Sequence, residues 1–292
     1  MSTDTLNRGI GIAPTAIPVS DSFRPLTQKV LLILPSYKSV SPLTTVCIAH
    51  LSDRRRVGLM ANWDDAFVAH TRNNCAREAL KTQFDWFLWM DDDMIVPCGH
   101  APWFKAYCGW PKFPDKFAGL NSIDRLLSHQ KTVVGGLYFG RRPGAGPVYA
   151  EGMSIKSEAD YARTGPHDLV KPTNWVGFGC TLTHRSVFDD IVKKYPALNG
   201  HWFTSSEHRL LEDVDATVKM LGEGPMDGEK ALKALQMLEN AQAHATKVSN
   251  MGVGEDVIFC RRAREAGHQV YVDMGLVCGH VGHRVYPENL WQ

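Results

Sequence analysis

No CxxC pair occurs among the seven cysteines of this chain, which fall at 47, 75, 98, 108, 180, 260 and 278. An odd, scattered set argues against both a disulfide framework and a zinc site, and points to reduced thiols in a cytoplasmic protein. No apolar run approaches the ~20 residues that a membrane span needs, and Met1–Gln28 lacks the basic-then-apolar layout of a signal peptide. Net charge is +1, so no strong basic field announces nucleic acid or a membrane surface. Only local clusters remain, at Arg54–Arg56, at Arg141–Arg142 and at Arg261, Arg262 and Arg264; each suits either solvated surface or phosphate contact.

What is present describes a soluble globular protein, with 44% apolar and 22% charged residues. A length of 292 residues is enough to bury a large core in one or two domains. The most informative stretch is Phe84–Pro97, FDWFLWMDDDMIVP. Trp86–Met90 reads as a buried strand that stops abruptly at three acids. If the backbone stays extended through them, Asp91 and Asp93 share one side and Asp92 takes the other. Two carboxylates ~5 Å apart repel by about 3 kcal/mol at an effective dielectric near 20. Such a pair asks for full solvation, as in an acidic turn, or for a hard cation such as Mg2+ or Mn2+ bridging to phosphates.

Around this stretch, strands and helices alternate. Met1–Gln28 has no sustained period and reads as a flexible N-terminal arm. Lys29–Leu34 is a buried strand closed by Pro35, Ser36 and Tyr37, the kind of strand end where ligands gather in α/β sheets. Ser41–Leu51 is predicted as a helix with Ser41 as N-cap and Pro42 at its first position, Val57–Ala61 as a strand, and Asp64–Gln83 as a helix. Arg72 and Asn73 on that helix suit an anionic ligand or plain surface. A helix around Ser122–His129, strand-like segments at Thr132–Phe139 and Asn174–Leu182, and a helix over Ser186–Lys194 follow. Both strand-like segments carry glycine pairs, where backbone can approach something closely.

Residues 205–249 change character, with two helical faces (Leu210, Leu211, Val214, Val218, Leu221; then Leu232, Leu235, Leu238, Ala241, Ala245) around the break GEGPMDG. They read as a helical hairpin inserted in an α/β frame whose sheet is mostly parallel and covered on both faces. Next, Glu255 and Asp256 open a helix that Gly267 stops. Acids there serve equally as caps on the helix dipole or as chemical groups. Gln269–Val272 is a last strand before His280 and His283, imidazoles able to ligate a divalent metal among other tasks.

In this order the pieces resemble the GT-A type of nucleotide-sugar-dependent glycosyltransferase, near family 2 and the compact forms of phage and bacterial genomes. The resemblance rests on Pro35-Ser36-Tyr37, the Arg72-Asn73 helix, the Asp-x-Asp of Asp91 and Asp93, the Gly-rich strand Val176–Leu182, Glu255-Asp256 and the late His280. It covers about 29–282 apart from the insertion, and implies one GT-A (Rossmann-like) domain over 29–292.

The resemblance further implies a donor diphosphate held beside Asp91 and Asp93 through Mn2+ or Mg2+, with Asp93 the more direct ligand and Asp92 a further contact to the donor. His280 completes the metal site, and His283 is the fallback. Pro35, Ser36, Tyr37 and Arg72 line the nucleotide, with UDP the default, and Gly177, Phe178 and Gly179 border the sugar. Asp256, beside Glu255, is the candidate base toward an acceptor hydroxyl. The phage-like relatives imply the host cytoplasm, and an acceptor among surface glycans, small molecules and a modified base in DNA. Two rivals are a nucleotidyltransferase, which wants a Gly-rich basic loop where this chain has PSYKSVS, and a non-catalytic sugar- or nucleic-acid-binding module.

Overall fold

The computed structural model describes residues 28–36, 39–52, 57–62, 68–97, 121–140, 148, 170–198, 200–204, 217, 221–222, 227–248, 254–281 and 285–286. Outside them lie the expected arm up to residue 27, Tyr37, the Arg54–Arg56 and Arg141–Arg142 clusters, most of the hairpin's first helix, and His283.

β1 (Val30–Pro35) is buried at every position, as befits an interior strand with both sheet faces covered. Its alternate side chains feed two cores, Leu31 and Ile33 on one side and Val30, Leu32 and Leu34 on the other. α1 (Pro42–Ser52) starts at its proline as expected and packs Cys47 and Leu51 into the second core. β2 (Val57–Asn62) follows, then α2 (Val68–Leu80), which packs Ala69, Cys75, Ala76 and Ala79 into the first. β3 (Trp86–Met90) repeats the division, with Phe87 and Trp89 in the first core and Leu88 and Met90 in the second.

After β3 come β4 (Met94–Ile95), α3 (Ser122–Ser128), β5 (Val133–Leu137), β6 (Val170–Thr173), β7 (Cys180–His184) and α4 (Arg185–Lys194). α5 (Gly228–Val248) is the second helix of the expected hairpin. Leu232, Leu235 and Leu238 on it stand exposed while Ala234 is buried. α6 (Glu255–Glu265), β8 (Val270–Val277), β9 (Gly279–Val281) and β10 (Val285–Tyr286) complete the described chain.

The main sheet has the order β2-β1-β3-β7-β5-β8-β6, and β4, β9 and β10 form a small second sheet. β1 runs parallel to β2 and β3, and β5 to β8, while β7 is antiparallel to β3 and β5, and β6 to β8. Five of the seven main strands therefore point one way, giving an α/β fold with a mixed, mostly parallel sheet flanked by helices. The chain steps outward from β1 to β2 and returns across β1 to β3. That reversal makes the carboxyl ends of β1 and β3 a topological switch point, the place where open α/β sheets bind ligands.

Two local features differ from the sequence pattern. Asn174–Leu182 is not one strand: residues 174–179 form the turn between β6 and β7. In β8 the pairing with β5 jumps from Gly136↔Asp273 to Leu137↔Val277, a bulge. The buried Asp273 carboxylate holds it, accepting the N–H groups of Gly275 (2.9 Å) and Leu276 (3.2 Å). Arg125 grips both oxygens of that carboxylate at 2.6 Å. Past the bulge the chain enters β9, which pairs with β4 and sets His280 opposite Met94.

Candidate functional site at the carboxyl ends of β1 and β3

β3 ends at Met90, and Asp91–Asp93 form a turn closed by Met94 N–H donating to Asp91 O at 3.2 Å. The expectation of an extended acidic run with Asp91 and Asp93 on a shared side is thus corrected. The turn hands each acid to a different neighbour. Asp92 Oδ2 accepts from Ser36 Oγ (2.6 Å) and its carbonyl from Ser41 N–H (2.8 Å), tying the turn to the loop after β1. Asp93 O accepts from Val281 N–H at 2.6 Å, tying it to β9.

Asp91 faces Arg72. One end of that guanidinium donates to Asp91 Oδ1 at 2.7 Å and the other to Glu255 Oε1. Arg72 sits one turn from Ala69 and from Ala76 on the buried face of α2, beside Asn73. Asn73 donates to Thr204 and accepts from Phe203 N–H. With its fork on two carboxylates and its carbon over the Phe178 ring at 5.5 Å, Arg72 bridges the two acidic segments. A signal was legible: Arg72 and Asn73 share the apolar face at i+3 and i+4 from Ala69.

Glu255 and Asp256 open α6 behind Gly254, and Asp256 Oδ1 accepts from Val257 N–H at 2.8 Å. Burial, reinforced by the adjacent Glu255 charge, pushes the Asp256 carboxyl up to about 6, against the pull of Arg72. A carboxyl so tuned is ionised at neutral pH and basic enough to take a proton.

His280 lies buried on β9, with its ring edge-on to Tyr138 at 5.0 Å between centroids. Nδ1–H donates to Phe139 O at 2.8 Å, which in the neutral ring leaves the Nε2 lone pair as the ligating position, the arrangement typical of metal-binding histidines. Gly177 and Gly179 pack on Tyr138 as well: a Cβ at Gly177 would lie 1.9 Å from the Tyr138 hydroxyl oxygen. Phe178, expected beside the sugar, is fully buried among Trp89, Phe203 and Phe259. Its ring belongs to the core, and the flanking glycines are buried as well, with Gly177 N–H given to Val148 O and Gly179 N–H to the Tyr138 hydroxyl. Sequence reasoning passed over Tyr138, since an aromatic at a strand end reads as ordinary core.

Among the described residues no group of three His, Cys, Asp or Glu side chains is placed to hold a metal ion. Asp91, Asp93 and His280 are therefore not brought together as a set of three ligands, and the acidic turn and the His280 strand meet through backbone pairing. Mg2+ and Mn2+ commonly take one or two carboxylates and complete their shell with substrate phosphates and water.

No family model matches the sequence, and no curated protein matches it. Among solved structures, A197 from STIV gives a TM-score of 0.44 at 13% identity, covering 87% of this chain and 86% of that one. GalNAc-T7, crystallised with UDP, GalNAc and Mn2+, gives 0.37 at 10% identity over 91% of this chain and 45% of its own. S. aureus TarS 1–349 gives 0.29 at 10% identity, with 77% and 74% covered. Likenesses this loose carry nothing about the chemistry, and the fold stands on its own strand order and register.

Proposed function

We propose that this chain is a glycosyltransferase that moves a sugar from a nucleoside-diphosphate sugar, with UDP the default, to an acceptor hydroxyl, assisted by Mg2+ or Mn2+. The observation that carries the reading is the meeting of three remote segments beyond β1 and β3: the acidic turn, the α6 start and the His280 strand. The ordered sequence resemblance to such enzymes supports it independently.

In this reading Ser36 and its neighbours border the nucleotide, and the donor diphosphate lies over the turn. Asp93, with Asp91 and His280 as the further candidates, would hold the ion, which would supply Lewis-acid stabilisation to the departing diphosphate. Arg72 keeps Asp91 fixed, and the Gly177–Gly179 backbone borders the sugar. Asp256 takes the proton of the acceptor hydroxyl as that oxygen attacks the anomeric carbon. The bond to the diphosphate breaks on the opposite side, its electron pair leaves with the diphosphate, and configuration inverts.

A thermal-shift panel tests this. A UDP-sugar with Mn2+ should raise the melting temperature, since ligand at a hundredfold over Kd adds ~2.7 kcal/mol by mass action. Chelator, or Asp93→Ala, should remove the shift without moving the ligand-free melt. No response to any nucleotide sugar, with or without Mn2+, ends the reading, and a response to nucleoside triphosphates alone favours nucleotidyl transfer.

A further inference from the structure

Tyr138 and Phe139 leave β5 directly and touch both halves of the site. The Tyr138 hydroxyl accepts Gly179 N–H at 3.0 Å, and Gly179 O accepts Asp91 N–H at 3.2 Å. The Tyr138 carbonyl accepts Val148 N–H at 2.8 Å, and Val148 O accepts Gly177 N–H at 3.1 Å. On the other side the Tyr138 ring meets the His280 ring edge-on, at an interplanar angle of 89°. Phe139 O takes the His280 Nδ1–H. The room for this phenol exists because residues 177 and 179 are glycines; a Cβ at Gly179 would lie 3.0 Å from Tyr138 Cζ.

We propose that Tyr138 is a positioning residue that locks the Gly177–Gly179 turn to the His280 ring, so that the sugar-side backbone and the metal-side imidazole keep a fixed separation. The inference rests on the function proposed above. It follows from a single side chain being hydrogen-bonded to one half and packed on the other. A buried tyrosine's hydroxyl and ring do separate jobs, one polar and one apolar, so the two links are separable by substitution. Tyr138→Phe keeps the ring on His280 and removes the acceptor for Gly179 N–H. Tyr138→Leu removes both.

The test combines amide hydrogen exchange, calorimetric titration with UDP plus Mn2+, and kinetics on the same preparations. In Tyr138→Phe the Gly179 amide should exchange about tenfold faster, and kcat should fall about tenfold as the sugar loses its fixed floor, the usual consequence of one lost hydrogen bond. UDP–Mn2+ affinity should stay within about threefold, since the His280 packing survives. Tyr138→Leu should in addition weaken UDP–Mn2+ binding by about tenfold, as disturbed support around a metal ligand does. If the folded Phe variant matches wild type in both Gly179 exchange and kcat, the inference falls while the function stands. If wild-type protein takes up no UDP with Mn2+, the functional reading fails first and takes this inference with it.

Discussion

Arg72 shows how one buried charge is kept. Its side chain is 3% exposed, and burial works against its charge, yet Asp91, then Glu255 and Asp256, outweigh that and raise its pKa. Arg72→Met would leave Asp91 and Glu255 facing each other without the cation between them. Removing one partner of a buried pair costs about 3 kcal/mol, and chemical denaturation should show that loss, with Arg72→Lys recovering part of it because charge returns without the planar fork. Asp256 is the opposite case. Its carboxyl, normally near 3.8, stays protonated in the fold up to about 6. The folded state therefore binds more protons than the unfolded state across that window, and stability falls as pH rises through it, by up to about 3 kcal/mol. Asp256→Asn lacks this loss. We expect it to melt higher than wild type at pH 7.5, to match it near pH 4, and to lose turnover by orders of magnitude. Melting differences that do not change with pH, or a product of retained anomeric configuration, would remove the base from that position.

At the scale of elements, the β8 bulge decides where the chain's last histidine goes. Burial of Asp273 works to raise its pKa, but the Arg125 and His129 hydrogen bonds outweigh it and hold the carboxyl below its ordinary value. A depressed carboxyl contributes stability above its unfolded pKa and loses it as pH falls through the folded one. Asp273→Asn should remove that acid-dependent stability and cost about 3–5 kcal/mol at neutral pH, because Arg125 is left buried without its anion. Urea unfolding at neutral pH and at pH 3 measures both parts; a difference from wild type that persists unchanged at low pH contradicts the assignment. Arginines elsewhere act as clasps of a similar kind. Arg262 donates to the carbonyls of His201 and Trp202, Arg77 to Gly200, and Arg264 to Asn174. The terminal Arg cluster thus ties α6 to the chain around it, and neither solvated surface nor phosphate contact describes Arg262.

For the molecule as a whole, the two cores and the strand reversal explain why the acidic turn, the α6 start and the His280 strand meet at one edge. Interior strands buried on both faces are rigid, and their polar ends emerge where the helices of opposite faces diverge. The strands Val30–Pro35 and Trp86–Met90, the proline-started first helix and the α6 start were legible in the sequence. Burial on both faces, a fixed proline φ and acids at a helix start each leave a local mark in residue type. The short strands β4, β9 and β10 left none, since two or three residues carry no period. The same limit hid the turn at Asp91–Asp93, the Arg72 bridge and the place of Tyr138. Residue types alone determined that a buried strand would deliver acids to a polar edge and that helices would cover the sheet. Which distant groups those acids would meet was decided only by tertiary structure, because hydrogen-bond partners far apart in the chain are chosen by strand order and register, and neither is written in local pattern.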